Sequence, residues 1–119
     1  MIAILSDIHA NALALEAVLE DMRTLDVSRA LCLGDTIGYG PDAAECVKLV
    51  REHCVASVLG NHEAMLIVLE RIGPQDLGDT VFLPLKLAQK QLSADHMKWM
   101  TDLPIGIDFD AFEIIHASL

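Results

Sequence analysis

The chain has few basic side chains and no long apolar run, and these two shortages argue against two classes of partner. Of its 119 residues, 8 are Lys or Arg and 18 are Asp or Glu, which gives a formal net charge of −10. Because an acidic surface repels phosphate backbones, we expect no nucleic-acid partner. No apolar run reaches the roughly 18 residues of a membrane span, so no membrane partner is expected either.

Cysteine is also scarce. The three cysteines are Cys32, Cys46 and Cys54, and an odd number without close spacing does not indicate a disulfide framework. We expect them to be buried thiols. The N-terminus has no basic region ahead of its first apolar run and no cleavage site, so it is predicted to be a strand and not a signal peptide. These features together predict a cytoplasmic protein.

Hydrophobic residues, in contrast, make up 53 % of the chain, which is enough for a packed core in a single domain over residues 1–119. The continuous apolar run at residues 2–5 predicts a strand covered on both faces, and residues 29–33 and 55–59 are predicted to be the second and third strands. The intervals between them are long enough for helical crossovers. The pattern therefore predicts an α/β fold: a mostly parallel sheet with flanking helices.

Helix signals fill the rest of the chain. Asn11 is predicted to cap a helix whose apolar positions are Leu15, Val18, Leu19 and Met22. Further helices are predicted after Asp42, where Glu45 suggests a capping box, after residue 60, around residues 85–92 and after Ser93. Residues 73–78 are predicted to be a linker. Residues 105–109 and 112–115 predict a hairpin, which would start a second sheet.

Polar side chains follow the predicted strands at the point where each one ends. Because the carboxyl ends of parallel strands meet at one edge of a sheet, we expect these side chains to converge. Mixed oxygen and nitrogen ligands suit manganese, iron, zinc or nickel better than calcium. Two such ions, ~3.5–4 Å apart, would activate a bridging water and bind the oxygens of a phosphoryl group. The candidate metal ligands are Asp7, His9, Asp35, Asn61 and His116.

His62 is the candidate catalytic residue. It directly follows Asn61, and it could protonate a leaving alcohol or neutralise phosphoryl charge. Asn11, Asn61 and His62 are the candidate substrate-binding residues. Asn61 could instead act only as a helix cap. Tyr39, which lies between two glycines, could line a substrate pocket or simply anchor its loop.

Four segments resemble successive motifs of the calcineurin-like metallophosphoesterases, with the small bacterial phosphodiesterase-like branch as the nearest likeness. They are Ser-Asp-Ile-His-Ala-Asn at positions 6–11, Leu-Gly-Asp-Thr-Ile-Gly-Tyr-Gly-Pro at 33–41, Leu-Gly-Asn-His-Glu at 59–63 and Ile-Ile-His-Ala-Ser at 114–118. The resemblance implies a two-metal site in an αββα sandwich, here incomplete. It also implies that Asp7 and His9 bind the first ion, that Asp35 bridges, and that Asn61 and His116 bind the second.

The chain departs from the family pattern at several positions. It lacks the later Gly-His-x-His motif, which would supply one further ligand to each ion. Each ion would therefore be short of one ligand, and both metal sites are expected to be only partly occupied. The family pattern has glycine where this chain has Ala10 and Ala117, and the added methyl is expected to crowd the backbone there. We interpret the chain as C-terminally truncated relative to the family. The strand at residues 112–115 would then have an open edge, which predicts a homo-oligomer.

Two functions are expected from these features. The first is metal-dependent hydrolysis of a small phosphodiester or nucleotide-type phosphoester, with manganese as the preferred ion. The second is a catalytically inactive remnant that acts only through metal binding or self-association. A nucleotide-binding module is disfavoured because the first strand is not followed by Gly-x-Gly-x-x-Gly and the chain has no Gly-Lys-Ser/Thr loop.

Overall fold

The structure, a computed structural model, describes residues 1–109 and 111–117. Three parallel strands form one sheet in the order β1-β2-β3, and two antiparallel strands form a second. The strands are β1 (Ala3–Leu5), β2 (Ala30–Cys32), β3 (Cys54–Ser57), β4 (Gly106–Phe109) and β5 (Phe112–Ile115). The helices are α1 (Ala12–Thr24), α2 (Ala43–His53), α3 (Asn61–Ile67), α4 (Pro74–Leu77), α5 (Asp79–Gln91) and α6 (Ala94–Thr101), with a 3-10 turn at Leu69–Arg71.

The first two crossovers build the helical layer against the parallel sheet. Helix α1 connects β1 to β2, and α2 connects β2 to β3. Asn11 caps α1 as predicted, because its Oδ1 accepts a hydrogen bond from the backbone N–H of Ala14 at 3.0 Å. Leu15 on α1 and Val50 on α2 meet Cys32 of the sheet in one buried cluster. The predicted face of α1 is only partly buried, since Val18 is 42 % exposed.

The two faces of the parallel sheet are covered differently. On one face, α1 and α2 pack on Cys32, and a separate apolar cluster joins α2, α3, α5 and α6. On the other face, Ile114 of the hairpin packs on Leu31 and Val58. The resulting order of layers is helices, parallel sheet and hairpin. This confirms the predicted α/β class, with a mostly parallel sheet, flanking helices and a small second sheet. Strand β1 is not covered on both faces as predicted, since Ile4 is 55 % exposed.

Two further local predictions were wrong. Asp42 stands at the start of α2, but its side chain makes no capping hydrogen bond. Instead, the amide of Gln91 reaches across from α5, and its Oε1 accepts from the N–H of Ala43 at 3.1 Å. The predicted linker at 73–78 contains the short helix α4, which begins at Pro74, a residue favoured at a first helical position.

The cysteines are free thiols, as expected. Cys32 and Cys46 are buried, and Cys54 is partly buried. Burial raises the pKa of the Cys46 and Cys54 thiols to about 12, so both remain protonated and unreactive at neutral pH. No helix in the described ranges is both long and apolar enough to cross a bilayer.

Candidate metal centre

The carboxylate of Asp35 lies at the centre of the converging strand ends. It lies in the loop that follows β2, and its side chain is 4 % exposed. Its Oδ2 atom is 3.7 Å from Nε2 of His9 and 3.4 Å from Nε2 of His116. One oxygen therefore faces histidines from two different strand ends, which is the position that a carboxylate shared between two ions would need.

Backbone carbonyls fix the orientation of both histidines. Nδ1 of His9 is 3.2 Å from the carbonyl oxygen of Ile37, and Nδ1 of His116 is 2.8 Å from that of Leu33. A carbonyl oxygen can only accept, so Nδ1 carries the hydrogen in each ring. In a neutral ring this leaves the lone pair on Nε2, the atom that faces Asp35.

Further oxygen acceptors lie beside the same two Nε2 atoms. Nε2 of His116 is 2.9 Å from Oδ1 of Asn61, and Nε2 of His9 is 3.5 Å from Oδ1 of Asp7. In the neutral rings, these nitrogen lone pairs face oxygen lone pairs without a hydrogen between them, which is unfavourable, and a cation bound at Nε2, a proton or a metal ion, removes the conflict. The donor set therefore fits divalent metal ions. Two groups have ligand atoms within 4.8 Å of one another: His9, Asp35 and His62, and Asp7, Asp35 and His116.

A buried glutamate organises the backbone around Asp35. Glu63 is 0 % exposed. Its Oε2 accepts from the N–H groups of Asp35 at 2.9 Å and Gly60 at 3.0 Å, and its Oε1 accepts from those of Thr36 at 2.6 Å and Ile37 at 3.3 Å. Burial raises the pKa of the Glu63 carboxyl, while the hydrogen bonds from backbone N–H groups oppose that shift. Glu63 thus ties the loop after β2 to the start of α3.

His62 lies against the same carboxylate. Its backbone N–H donates to Oδ1 of Asp35 at 2.9 Å, so the two oxygens of Asp35 serve different partners. The imidazole is 3 % exposed, and its Nδ1 has no hydrogen-bond partner among the described residues. Burial lowers the pKa of His62, which keeps the ring neutral at neutral pH. A methyl group at Gly38 would come within 2.1 Å of that Nδ1.

Strained backbone is concentrated at the site. Asp7, His9, Ala10, Asp35 and Tyr39 all have φ between 49° and 58°, a left-handed region that side chains other than glycine rarely adopt. Such strain persists where surrounding contacts enforce it, often at functional sites. The Ala10 methyl was expected to crowd the backbone, and the geometry agrees with this, because Ala10 is fully buried and has a φ of 53°.

The end of β1 is more open than the end of β2. The Asp7 side chain is 57 % exposed, compared with 23 % for His9. A hydrogen bond from the Ser6 hydroxyl, helped by the nearby His116 and His9, holds the pKa of Asp7 below its usual value. Asn11, a predicted substrate contact, is exposed nearby and uses its Oδ1 to cap α1.

Sequence reasoning gave no role to Glu63 or to the carbonyls of Leu33 and Ile37. Glu63 lies three residues after Gly60, where its carboxylate accepts from the Gly60 N–H, the N3 half of a capping box. That spacing could have indicated the structural role of Glu63 from the sequence. The two carbonyls carry no side-chain signal, so only the folded backbone shows them.

Comparisons with known proteins identify the family. The sequence profile described as "Calcineurin-like phosphoesterase" matches residues 1–116. An uncharacterised protein of Methanocaldococcus jannaschii is 34 % identical over 108 residues, which cover 91 % of this chain and 44 % of that protein.

Two solved structures share the fold. A metallophosphoesterase from Sphaerobacter thermophilus is 38 % identical with a TM-score of 0.73, over 91 % of this chain and 43 % of that one. A putative diadenosine tetraphosphatase is 26 % identical with a TM-score of 0.76, over 99 % of this chain and 50 % of that one. The chain thus spans half or less of the length of these relatives. It belongs to the calcineurin-like phosphoesterase family.

Proposed function

We propose that this calcineurin-like phosphoesterase chain binds two divalent metal ions at the ends of β1, β2, β3 and β5 and hydrolyses a small phosphodiester or nucleotide-type phosphoester. One observation carries the proposal. His9 and His116 each donate Nδ1 to a backbone carbonyl, and both Nε2 atoms therefore face Oδ2 of Asp35.

The resemblance to the family implies how the ligands would divide between the ions, although the converging groups of the structure join His62 to His9 and Asp7 to His116 around Asp35. Asp7 and His9 would hold the first ion, Asn61 and His116 would hold the second, and Asp35 would contact both. The two ring nitrogens lie 3.7 Å and 3.4 Å from the same carboxylate oxygen, which supports a shared position for Asp35. Manganese is proposed as the preferred ion because the ligands mix oxygen and nitrogen.

When bound, the ions would supply an activated water and neutralise charge on the phosphoryl oxygens. The protein residues would orient the substrate around them. His62 is neutral and buried beside Asp35, so its ring can donate one N–H to a phosphoryl or leaving-group oxygen. Asn61 begins α3 at the same edge and can offer its amide to the ion or to the phosphoryl group. Asn11 is proposed as an outer contact.

The nucleotide-type substrate is supported by one relative. The solved structure with a TM-score of 0.76 carries the description of a putative diadenosine tetraphosphatase, which names a nucleotide-type substrate for that protein. The same relative is about twice as long as this chain. That this chain shares the activity of its longer relative is therefore part of the proposal.

A second function is metal binding without turnover, accompanied by self-association. It is favoured by the open end of β1, where Asp7 is 57 % exposed, and by apolar side chains on the hairpin: Phe112 is 42 % and Ile115 is 40 % exposed. Exposed strand edges pair with other chains. Light scattering on the purified chain measures this directly, and a homo-oligomer is expected.

The test compares the wild-type chain with Asp35→Asn and with Asp21→Asn, a matched change at an exposed position of α1. Each protein is loaded with manganese and assayed with bis(p-nitrophenyl) phosphate. We expect turnover that depends on manganese, is unchanged in Asp21→Asn and falls at least a hundredfold in Asp35→Asn. A wild-type chain that binds manganese without turnover would support the second function. Equal turnover in all three proteins would refute the proposed site.

A further inference from the structure

The Gly38-Tyr39-Gly40 turn is fitted closely around two of the site histidines. Tyr39 has a φ of 58° and Gly38 a φ of 93°. A methyl group at Gly38 would be 2.1 Å from Nδ1 of His62, and one at Gly40 would be 2.3 Å from the carbonyl oxygen of His9. The backbone is thus pressed against both histidines, and a strained tyrosine stands between the two glycines.

The ring of Tyr39 packs against the same two imidazoles. Its centroid is 4.8 Å from that of His9 and 4.7 Å from that of His62, and the two imidazoles are themselves 4.7 Å apart. Nevertheless, Tyr39 is 51 % exposed, whereas His62 is 3 % exposed. A side chain that only anchored its loop would not need to present half of its surface to solvent. Part of the ring covers the histidines, and the rest is free to contact a ligand.

The free part of the ring faces a cleft of about 610 Å³ beside the metal centre. Its walls include Asp7, Asn11, Tyr39, Pro41 and Asp42. This volume is within the usual range for small-molecule sites. Tyr39 is the one aromatic side chain of the cleft, since the other four in the chain are Phe82, Trp99, Phe109 and Phe112, which lie on α5, α6, β4 and β5.

The charge of the cleft restricts what can fill it. Asp7 and Asp42 line it, and no Lys or Arg is among the described residues of its wall. A leaving group with further phosphates would be repelled there. A flat, uncharged group would instead gain contact with an aromatic ring.

We propose that Tyr39 forms the stacking wall of a leaving-group subsite that takes a flat, uncharged alcohol such as a nucleoside. This inference rests on the proposed function, because the phosphoryl group must lie at the metal centre for the leaving group to extend into the cleft. To the proposed function it adds Tyr39 as a substrate-binding residue. It also adds the orientation of the bound substrate, which extends from Asp35 past His9 toward Asp42.

The test measures binding, not turnover, by calorimetry on the manganese-loaded chain. The ligands are adenosine monophosphate and ribose 5-phosphate, which share sugar and phosphate and differ only in the base. Stacking on an aromatic side chain is worth roughly a tenfold change in Kd or more. We expect the wild type and Tyr39→Phe to prefer adenosine monophosphate by about that factor, and the ratio of the two Kd values to fall toward one in Tyr39→Ala.

Tyr39→Leu keeps apolar bulk without the aromatic ring and serves if Tyr39→Ala does not fold; it should also lose the preference. The inference is overturned if the wild type shows no preference for the base, or if the preference survives in Tyr39→Ala or Tyr39→Leu. If neither ligand binds the wild type, the proposed function fails and this inference fails with it. If both ligands bind equally, only the subsite is refuted.

Discussion

On one side of the candidate metal centre, which we call the closed side, Asp35, His62 and Glu63 are buried, and backbone N–H groups bind both carboxylates. On the other side, the open side, Asp7 is 57 % exposed and its carboxylate takes a hydrogen bond from the neighbouring Ser6. The open side lies at the end of β1, whose one neighbour among the described strands is β2. The two sides therefore differ in their side chains: the carboxylates of the closed side are bound by backbone N–H groups of other segments, whereas the Asp7 carboxylate is bound by its sequence neighbour, although the Asp7 backbone N–H donates to the Gly34 carbonyl at 3.1 Å.

The difference indicates how the site would work. The hydrogen bonds on the closed side need no ion, so the position of Asp35 is set before metal binds. This is preorganisation, which lowers the free-energy cost of binding. The Asp7 side chain, in contrast, is 57 % exposed and is bound only by Ser6 among the hydrogen bonds of the described residues, so fewer contacts fix it before an ion binds. We therefore expect changes on the closed side to affect stability and metal affinity, and changes on the open side to affect metal affinity less.

The largest effect is expected from Glu63→Ala. The change removes the acceptor for four backbone N–H groups, and buried donors left unpaired cost about 1–3 kcal/mol each, with incomplete additivity. We expect the free energy of unfolding to fall by about 3–5 kcal/mol in urea denaturation. Glu63→Gln should fall between this variant and the wild type, because its amide keeps one acceptor oxygen.

The control for that experiment is Glu52→Ala, at an exposed position of α2. Its unfolding free energy should stay within about 0.5 kcal/mol of the wild type. If Glu63→Ala is as mild as the control, the loop after β2 is held by other contacts and the closed side is not preorganised by Glu63.

The next effect concerns metal affinity on the two sides. Asp35 belongs to both groups of converging ligands, and Asp7 belongs to one. Asp35→Asn is expected to weaken manganese binding by more than tenfold, and Asp7→Asn by less, when both are measured by competition with a chelator. The reverse order would show that the open side contributes more to manganese affinity than the closed side, which would contradict the proposed difference between the two sides.

The pH dependence of stability tests His62. Burial lowers its pKa in the folded state below the unfolded value, so the unfolded chain binds the proton first as pH falls. Stability is then complete above about pH 6.5, the unfolded value for histidine, and is lost as pH falls toward the lowered pKa of the folded state. In metal-free protein, His62→Gln should flatten this part of the stability profile. An unchanged slope would mean that His62 is not shielded from solvent.

The smallest effect is expected on the open side. Asn11→Ala removes the cap of α1, where Oδ1 accepts from the Ala14 N–H at 3.0 Å, and should cost about 1 kcal/mol in urea denaturation. Asn11→Asp keeps an acceptor and should cost less. A loss as large as that of Glu63→Ala would show that the two sides are equally important for folding.

Sequence patterns predicted the parallel sheet, and the polar side chains at one of its edges, for a physical reason. Apolar runs that end in Asp, Asn or His locate a parallel strand and its carboxyl end together, so Asp35 and Asn61 could be assigned to one edge of the sheet in advance. The same reasoning missed α4, because the glycines at 73 and 78 outweighed the favourable Pro74. It also predicted a capping box at Asp42, whereas Gln91 meets the nearby amide from a distant helix.

The supporting contacts of the site could not be predicted in the same way. The carbonyls of Leu33 and Ile37 that orient the histidines belong to the backbone, and any residue type would supply them. The left-handed φ of Asp7, His9 and Asp35 likewise has no marker in the sequence. Glycine is the residue that usually indicates such a φ, and none of the three positions is a glycine. Tertiary contacts enforce these conformations, and local sequence does not encode them.

The most direct test of the central claim uses the five histidines of the chain. His9, His62 and His116 lie at the candidate metal centre, whereas His53 ends α2 and His96 lies on α6. Paramagnetic manganese, added below one equivalent, broadens NMR signals of nearby nuclei. The imidazole signals of the three site histidines should broaden first, while those of His53 and His96 remain sharp. Equal broadening of all five, or earlier broadening of His53 or His96, would contradict a metal centre at the strand ends.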